Sequence, residues 1–234
     1  MEELFRIKFS NGNSAKAIRI SKSTQLTNAI KKLEIPFGQP TIVLVGGAGG
    51  LNNEELKRLQ FLFLDILAPL AENIGANVID GGTDAGVMRL MGQARAKINA
   101  KFSLIGIAAE GTIALPGNQS SNPEAASLES HHTHFVLIPG KNWGDESPWL
   151  SRIAGKMAKT ASSMTLLING GEIARKDVAH SLSDKRPVVV FAGSGRLADE
   201  LATESRKDSP LIKIINLTVA SENILSLLKN LLRR

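Results

Sequence analysis

Four glycine clusters end apolar runs of the chain, and each could surround an anion with backbone N–H groups. They read GGAGG at 46–50, GGTDAG at 81–86, NGG at 169–171 and GSGR at 193–196. Without a Cβ, glycine tolerates positive φ and allows a ligand to approach the backbone closely. A single cluster is typical of an ordinary turn, whereas four together favour a pocket for a nucleotide or a sugar phosphate.

Charged residues directly follow two of these clusters. Arg196 completes GSGR, where its guanidinium could hold a phosphate through two hydrogen bonds. Glu172 follows NGG, and Arg175 and Asp177 come shortly after it, so all three could approach a ribose. Asp199 lies three residues beyond Arg196 on a predicted helix and could pair with that arginine.

The cluster at 81–86 gives the most specific expectation. Gly81, Gly82 and Thr83 are predicted to form the floor of a phosphate site, with the helix that begins near Gly86 pointing free N–H groups into it. Gly92 would let that helix lie close to the sheet. Replacement of Gly82 by aspartate should then weaken an anionic ligand by roughly 1–3 kcal/mol and leave the fold largely intact.

Several further side chains have open alternatives. Asp80 ends an apolar run and could accept hydrogen bonds from ribose hydroxyls or simply cap the turn. Trp143 precedes a predicted helix and could stack on a base. His131, His132 and His134 suggest a metal site. His132 and His134 would share one face of a strand, where Asp145 or Glu146 could complete a zinc site. Alternatively, one of these histidines could form a hydrogen bond with a ligand or fix the end of the strand.

The glycine clusters end short apolar runs that alternate with helical patterns. TIVLV, ANVID, FSLIGIAA, HFVLI, MTLLI and PVVVF are each too apolar for a half-exposed strand. Such runs indicate strands buried on both faces of a parallel sheet, with helices on both sides. Since ligands bind outside the carboxyl ends of parallel strands, the four clusters should lie along one edge.

The ends of the chain differ from this central pattern. Residues 1–38 combine two alternating segments around NGN with a short helix, which predicts a β-hairpin lobe packed on a main domain at 39–234. The final SENILSLLKNLLRR is an amphipathic helix that could cover the sheet or pair with a partner.

Composition narrows the class of function. The 234 residues carry a net charge of +6, 4% aromatic residues and no cysteine. The charge favours an anionic partner, but the scarcity of aromatic rings argues against single-stranded nucleic acid. No apolar run could span a bilayer and no signal peptide is evident, so a cytoplasmic protein without membrane insertion is expected.

In this order, VLVGGAGG, DGGTDAGVMRLMGQA, IGIAAEGTI, HHTHFVLIPG, LLINGGE and PVVVFAGSGRLADEL resemble the SLOG domain of melastatin-type TRP channels (TRPM) in its stand-alone prokaryotic form. The resemblance runs from about Phe5 to Leu201. It implies a Rossmann-like, doubly wound α/β fold, a nucleotide-derived ligand such as ADP-ribose, no cofactor and no metal. The implied ligand-binding residues are Gly46, Gly47, Gly49, Gly50, Gly81, Gly82, Thr83, Gly86, Val87, Met88, Glu110, His134, Gly170, Gly171, Glu172, Gly193, Ser194, Gly195 and Arg196.

The expected function is a ligand-sensing domain that acts through a separate effector or a second copy. Related LOG-type enzymes cleave the N-glycosidic bond of nucleoside monophosphates and carry PGGxGTxxE, with a glutamate and an arginine doing the chemistry. Here INGGEIARKD lacks the proline and the GT pair, so catalysis by Glu172 and Arg175 is the alternative. An interaction protein with a vestigial pocket is the third hypothesis.

Overall fold

A nine-stranded sheet runs through the molecule, with helices on both of its faces. This computed structural model describes residues 2–47, 52–118, 120–204 and 209–232. The strands are β1 (Glu3–Lys8), β2 (Ser14–Arg19), β3 (Thr41–Gly46), β4 (Asn77–Asp80), β5 (Leu104–Ala109), β6 (Ile113–Ala114), β7 (Ala126–Ser127), β8 (His134–Ile138), β9 (Ser163–Ile168), β10 (Val188–Ala192) and β11 (Ile212–Asn216). The helices are α1 (Leu26–Lys32), α2 (Asn53–Phe61), α3 (Ala68–Asn73), α4 (Gly86–Lys97), α5 (Ser147–Ala158), α6 (Glu172–Ser183), α7 (Arg196–Glu204) and α8 (Ser221–Leu232).

The strand order of the main sheet is β1-β2-β8-β5-β4-β3-β9-β10-β11. Among the described strands of this sheet, neighbours pair in parallel except β1 with β2. From β3 the chain builds one half of the sheet through β4, β5 and β8, and from β9 it builds the other half through β10 and β11. This doubly wound, Rossmann-like arrangement confirms the predicted fold class.

The central strands are apolar throughout because both of their faces are buried. In β3, Ile42 and Leu44 join the core beneath α2, α3, α4 and α8, whereas Val43 and Val45 join the core beneath α1, α5, α6 and α7. Successive side chains of a strand point to opposite faces, so a run such as TIVLV fills two cores at once.

The first long helix contains a break in its regular hydrogen bonding. Asn52 caps α2 by accepting hydrogen bonds from the N–H groups of Glu54 and Glu55 at 2.9 and 3.0 Å. A π-helical segment, Leu62–Leu67, joins α2 to α3, and Pro69 follows it. Proline has no N–H to donate, so a widened turn just before it is physically reasonable.

The N-terminal hairpin continues the main sheet, because β2 pairs in parallel with β8. The apolar side chains of α1, among them Leu26 and Ile30, enter the same core as those of α5. The boundary between 1–38 and 39–234 stays a prediction.

The C-terminal helix covers the sheet, one of the two alternatives that its pattern left open. Ile224, Leu228 and Leu232 of α8 are buried in the core that also contains Phe191 of β10. None of the described helices combines the length and the apolar character that a bilayer crossing requires.

Candidate functional site

A cavity of about 420 Å³ opens at the carboxyl edge of the sheet, where β3 and β9 are neighbours. Strand order reverses between these two strands, which is where open α/β sheets bind ligands. We call this cavity the switch-point cleft. Of the residues predicted from the sequence, its lining contains Gly46, Gly47, Gly81, Thr83, Met88, Gly170, Gly171, Glu172 and Arg196.

Other predicted residues do not line the switch-point cleft. Those that the structure describes are Gly82, Gly86, Val87, Glu110, His134, Arg175, Gly193, Ser194 and Gly195. Gly49 and Gly50 lie outside the described residues.

The polar groups of the GSG loop after β10 form hydrogen bonds with other groups of the protein. The carboxylate of Asp199 accepts hydrogen bonds from the N–H groups of Gly193 and Gly195 at 2.6 and 3.1 Å. Ser194 is buried, and its hydroxyl bonds the backbone at the ends of β9 and β10. These amides are therefore already engaged, and Arg196 is the residue of the cluster that reaches the cleft.

Arg196 has features that suit an anion-binding residue. Its side chain is exposed, and within the described part of the chain it has no carboxylate partner, since Asp199 bonds the loop amides instead. Its backbone adopts a φ of 50°, which is uncommon for a residue other than glycine. A Cβ added to Gly171 would lie 2.5 Å from an Nη atom of Arg196, so that glycine leaves space for the guanidinium.

The N-terminus of α6 opens into the same cleft. Gly171 occupies the N-cap position, and no side chain within the described ranges caps the helix. Glu172, Ile173 and Ala174 of the first turn line the cavity. The first N–H groups of a helix have no partner within the helix and carry partial positive charge. In contrast to α2 with its Asn52 cap, α6 thus leaves these donors available to an anion.

Two buried carboxyl groups lie on the wall of the cleft. Asp177 of α6 is 8% exposed, and its Oδ1 has no hydrogen-bond partner in the described part of the molecule. Burial, reinforced by the nearby Glu146, raises the pKa of Asp177 to about 7, and the nearby Ser147 hydroxyl opposes this shift. Burial also raises the pKa of Glu146, whose carboxylate accepts the N–H of Gly144 at 3.0 Å. Asp177 can therefore exchange a proton near neutral pH, and both groups can form hydrogen bonds with hydroxyls.

The Asp177→Asn variant should be more stable than the wild type at pH 8 but not at pH 4. A raised pKa in the folded state means that the stabilising effect of the proton is complete below 3.8 and is lost as the pH rises through about 7. Water can reach the cavity wall and reduce the cost of the charge, so we expect a gain of roughly 1–2 kcal/mol at pH 8. Urea denaturation at both pH values measures it.

Glu172→Gln is the matched control for that comparison. The Glu172 side chain is 86% exposed, so its charge costs little and its removal should leave the stability unchanged at either pH. An Asp177→Asn variant destabilised equally at pH 4 and pH 8 would contradict the assignment.

Of the three residues that were expected to approach a ribose, the structure brings Glu172 and Asp177 to the lining of the cleft, but not Arg175. Arg175 donates two hydrogen bonds of 2.7 Å to Glu200 on α7 and does not line the cleft. Helical periodicity explains this placement, because Asp177 follows Ile173 by four residues and Ala174 by three, so its side chain lies on the same inward face of α6.

The wall of the cleft also provides apolar contacts. Leu44, Leu150 and Ile173 line it, as does Trp143, whose ring is partly exposed at 38%. An indole in that position can stack on a planar ring, which was one of the alternatives for Trp143.

The GGTDAG loop divides its glycines between two roles. Gly81 lines the cleft, and a Cβ built on it would meet no atom within 4 Å. Gly82 has a φ of 69°, and its Cβ would lie 2.8 Å from the Cα of Gly106 and 2.9 Å from the ring of Phe135. The expectation that the fold tolerates aspartate at Gly82 is therefore wrong, because this position packs against β5 and β8 and does not face the cleft.

Asp80 and two residues near β8 form a buried charged cluster behind that loop. The imidazole of His132 contacts Asp80 Oδ1 at 2.8 Å and Glu129 Oε2 at 2.8 Å, and the same Asp80 oxygen accepts the N–H of Gly82 at 2.7 Å. A Cβ on Gly92 would lie 2.1 Å from the Glu129 carboxylate, so that glycine makes room for the cluster. Of the two alternatives for Asp80, the structure shows the turn cap.

Glu110 and His134 lie away from the cleft. Glu110 accepts a 2.6 Å hydrogen bond from Arg19 of the hairpin. His134 begins β8 and thus lies at the amino edge of the sheet, opposite the cleft. Across the residues described, no three histidine or acidic side chains are arranged to hold a metal.

Comparison with known proteins places this geometry in a family. Residues 39–230 match the family described as SLOG in TRPM, prokaryote. This match begins after the N-terminal hairpin, whereas the resemblance in the sequence starts at about Phe5 and includes the hairpin.

The curated relatives are much longer ion channels. Transient receptor potential cation channel subfamily M member 2 of Rattus norvegicus is 26% identical over 229 residues, which cover 80% of this chain and 15% of the channel. Member 6 of the same subfamily from Homo sapiens is 29% identical over 237 residues, covering 84% of this chain and 11% of the channel. The chain therefore spans only a small part of the length of these relatives.

Solved structures share the fold. The molybdenum cofactor carrier protein of Chlamydomonas reinhardtii superposes with a TM-score of 0.56 at 16% identity, over 84% of this chain and 99% of that one. The molybdenum cofactor binding protein of Rippkaea orientalis gives a TM-score of 0.52 at 19% identity, over 82% of this chain and 96% of that one. At these identities the likeness concerns the fold alone.

Proposed function

Because the chain belongs to the prokaryotic family of SLOG domains in TRPM, we propose that it binds a nucleotide-derived ligand of the ADP-ribose type in the switch-point cleft and acts as a cytoplasmic sensor. One observation carries the proposal: Arg196, which has no carboxylate partner among the described residues, and the N-terminus of α6, which no described side chain caps, meet on one wall of a cavity at the strand-order reversal.

The phosphate groups of the ligand would lie beside Arg196 and the first turn of α6. A guanidinium binds phosphate through two parallel hydrogen bonds, and the helix N-terminus adds N–H donors with partial positive charge. Gly170 and Gly171 keep this wall free of side chains, so the backbone is accessible to the anion.

The remainder of the ligand would occupy the deeper part of the cleft. Asp177 and Glu146 provide oxygens that can bond ribose hydroxyls, and the free Oδ1 of Asp177 has no other use in the described structure. Trp143 offers a ring on which a base can stack. The cleft thus combines a cationic end with a hydroxyl-binding, partly apolar end.

Substitution of Arg196 by glutamine should weaken ligand binding by about tenfold to a hundredfold, since a hydrogen bond to a charged group contributes roughly 1.5–3 kcal/mol. Isothermal titration calorimetry with ADP-ribose, cyclic ADP-ribose and NAD measures this loss. Because two proteins with this fold are named for the molybdenum cofactor, the purified protein is also assayed for molybdenum.

Arg58→Gln is the control, because it removes the same charge from an exposed position on α2 outside the cleft lining. It should bind the ligand as tightly as the wild type. Absence of binding to every compound of the panel, or equal weakening in the two variants, would contradict the proposed function.

Hydrolysis of a nucleotide at its N-glycosidic bond is a second candidate, favoured by the raised pKa of the buried Asp177. A carboxyl group that titrates near neutral pH can protonate the departing base while water attacks C1′ of the ribose phosphate. Chromatography after incubation with nucleoside monophosphates tests it. Free base released by the wild type and by Glu172→Gln, but not by Asp177→Asn, would favour this reading over binding alone.

A further inference from the structure

A second cavity, of about 440 Å³, lies at the amino edge of the sheet. Its walls come from the hairpin, the end of α4 with the loop after it, and the loop that leads into β8. We call it the amino-edge cavity. It lies opposite the switch-point cleft, and the proposed sensor function makes no use of it.

Cationic side chains from separate elements meet in the amino-edge cavity. Arg6 of β1 and Lys16 of β2 are cross-strand partners, Arg95 lies in the last turn of α4, and Lys101 follows that helix. Among the described residues, no aspartate or glutamate lines this cavity. Four positive charges thus face one concave surface.

Most of these cations lack a carboxylate partner. Lys16 forms an ion pair with Glu34. In the ranges that the structure describes, no carboxylate oxygen lies within 4.0 Å of a side-chain nitrogen of Arg6, Arg95 or Lys101. Cations that converge without a counterion repel one another, and an anion would remove that repulsion.

The nearby acidic groups are engaged elsewhere. The Glu72 carboxylate accepts the backbone N–H groups of Lys101 and Phe102 at 2.6 and 3.0 Å. Glu129 bonds His131 and His132. Both carboxylates act on Arg95 from a distance and oppose the lowering of its pKa by burial. Among the described residues, however, neither forms an ion pair with Arg6, Arg95 or Lys101.

A purely structural role explains only part of this arrangement. Arg95 donates from Nε to the carbonyl of Phe102 at 2.9 Å, and a cation in the last turn of α4 favours the carbonyl end of the helix. That role does not account for Arg6, which reaches the cavity from the hairpin. The pKa of His134 is lowered to about 4 by burial and then by Lys16 and Arg95, which agrees with a positive potential in the cavity.

We propose that the amino-edge cavity is a second anion site that binds a small phosphate-bearing ligand such as a phosphate monoester or a diphosphate. Two or more negative charges on a compact group match several convergent cations better than a single carboxylate does. Among the described residues, no phenylalanine, tyrosine or tryptophan lines the cavity, so it lacks the larger aromatic rings on which single-stranded nucleic acid usually stacks.

Titration of the full chain with inorganic diphosphate tests the proposal. The double variant Arg6→Gln/Lys101→Gln should bind diphosphate about a hundredfold more weakly than the wild type, if each lost charged hydrogen bond costs about tenfold. Both side chains are exposed, so the fold should not depend on them. In amide NMR spectra, diphosphate should shift the signals of Lys101 and Thr133.

Lys57→Gln/Arg58→Gln is the matched control, since it removes one lysine and one arginine from exposed positions on α2. It should retain wild-type affinity. Equal weakening in both double variants would overturn the proposal, because only net charge would then matter. Loss of diphosphate binding in the Arg196→Gln variant alone would also overturn it, because the anion would then bind in the switch-point cleft. Binding of long polyanions but not of diphosphate would overturn it as well.

Discussion

Replacement of His132 by glutamine is expected to lower the free energy of unfolding by about 3–5 kcal/mol, the usual cost of removing one partner from a buried ion pair. The imidazole is fully buried between the carboxylates of Asp80 and Glu129. Without it, two acidic groups share a site that solvent does not reach. Urea denaturation at pH 6 measures the difference.

The contribution of His132 should depend on pH in a defined direction. Burial alone would lower the pKa of the imidazole, but Asp80 and Glu129 outweigh burial and raise it to about 9. A raised pKa means that the stabilisation is complete below the ordinary value of 6.5 and is lost as the pH rises through about 9. The stability advantage of the wild type over His132→Gln should shrink by roughly 3 kcal/mol across that interval.

The titration of Glu129 limits the pH range of this stabilisation on the acid side. Burial would raise the pKa of its carboxyl group, but the hydrogen bonds from His132 and His131 lower it overall. A lowered pKa gives stability that is present above the ordinary value of 4.5 and is lost as the pH falls. The cluster should therefore stabilise the protein most between about pH 4.5 and 6.5.

The His131→Gln variant is the control that shows whether the loss of any histidine in this cluster would destabilise the protein equally. His131 bonds the same Glu129 at 2.6 Å, but its side chain is 29% exposed and it has no contact with Asp80. We expect a change below about 1 kcal/mol, as for partly exposed ion pairs. The double variant His132→Gln/Glu129→Gln should recover part of the loss, because one unpaired charge is removed. Equal destabilisation by His131→Gln and His132→Gln would contradict the ion-pair explanation.

The fold class could be predicted from the sequence because the preferences of its residues for local structure agree with their preferences for burial. Strands such as TIVLV are apolar throughout, which only burial on two faces explains, and Asn52 marks the start of α2. The order of the strands in the sheet, by contrast, could not be predicted in this way. That β8 lies between β5 and β2 depends on which hydrogen-bonding edges meet in space, and no short pattern encodes that choice.

The site was predictable in position but not in detail. Strand-end glycines predicted a pocket at the carboxyl edge, where the switch-point cleft lies, since the topology of a parallel sheet brings those ends together. That a ligand binds there stays a prediction. The sequence could not show that Asp199 occupies the amides of the GSG loop, or that His134 starts its strand at the opposite edge. Both facts depend on where a side chain or a strand end lies in the folded chain.

The GGTDAG loop offers a direct separation of ligand binding from folding, because its two neighbouring glycines face different surroundings. Gly81→Asp should fold normally, since its Cβ meets no atom within 4 Å and its side chain would enter the cleft. An anionic ligand would then meet a like charge in a partly desolvated site. We expect binding to weaken by about tenfold to a hundredfold, with Gly81→Asn weakened less because it adds the same volume without the charge.

Gly82→Asp should fail to fold at ordinary temperatures. The residue has a left-handed φ of 69°, and its Cβ would overlap the backbone of Gly106 at 2.8 Å and the buried ring of Phe135. Neither neighbour can retreat, because β5 and β8 are central strands of the sheet, and a clash of this kind costs more than about 4 kcal/mol. Circular dichroism and thermal melting of the two aspartate variants test the contrast. A folded Gly82→Asp protein with weakened ligand binding would show that this glycine serves the ligand, and an unfolded Gly81→Asp protein would show that the cleft wall is more tightly packed than its geometry indicates.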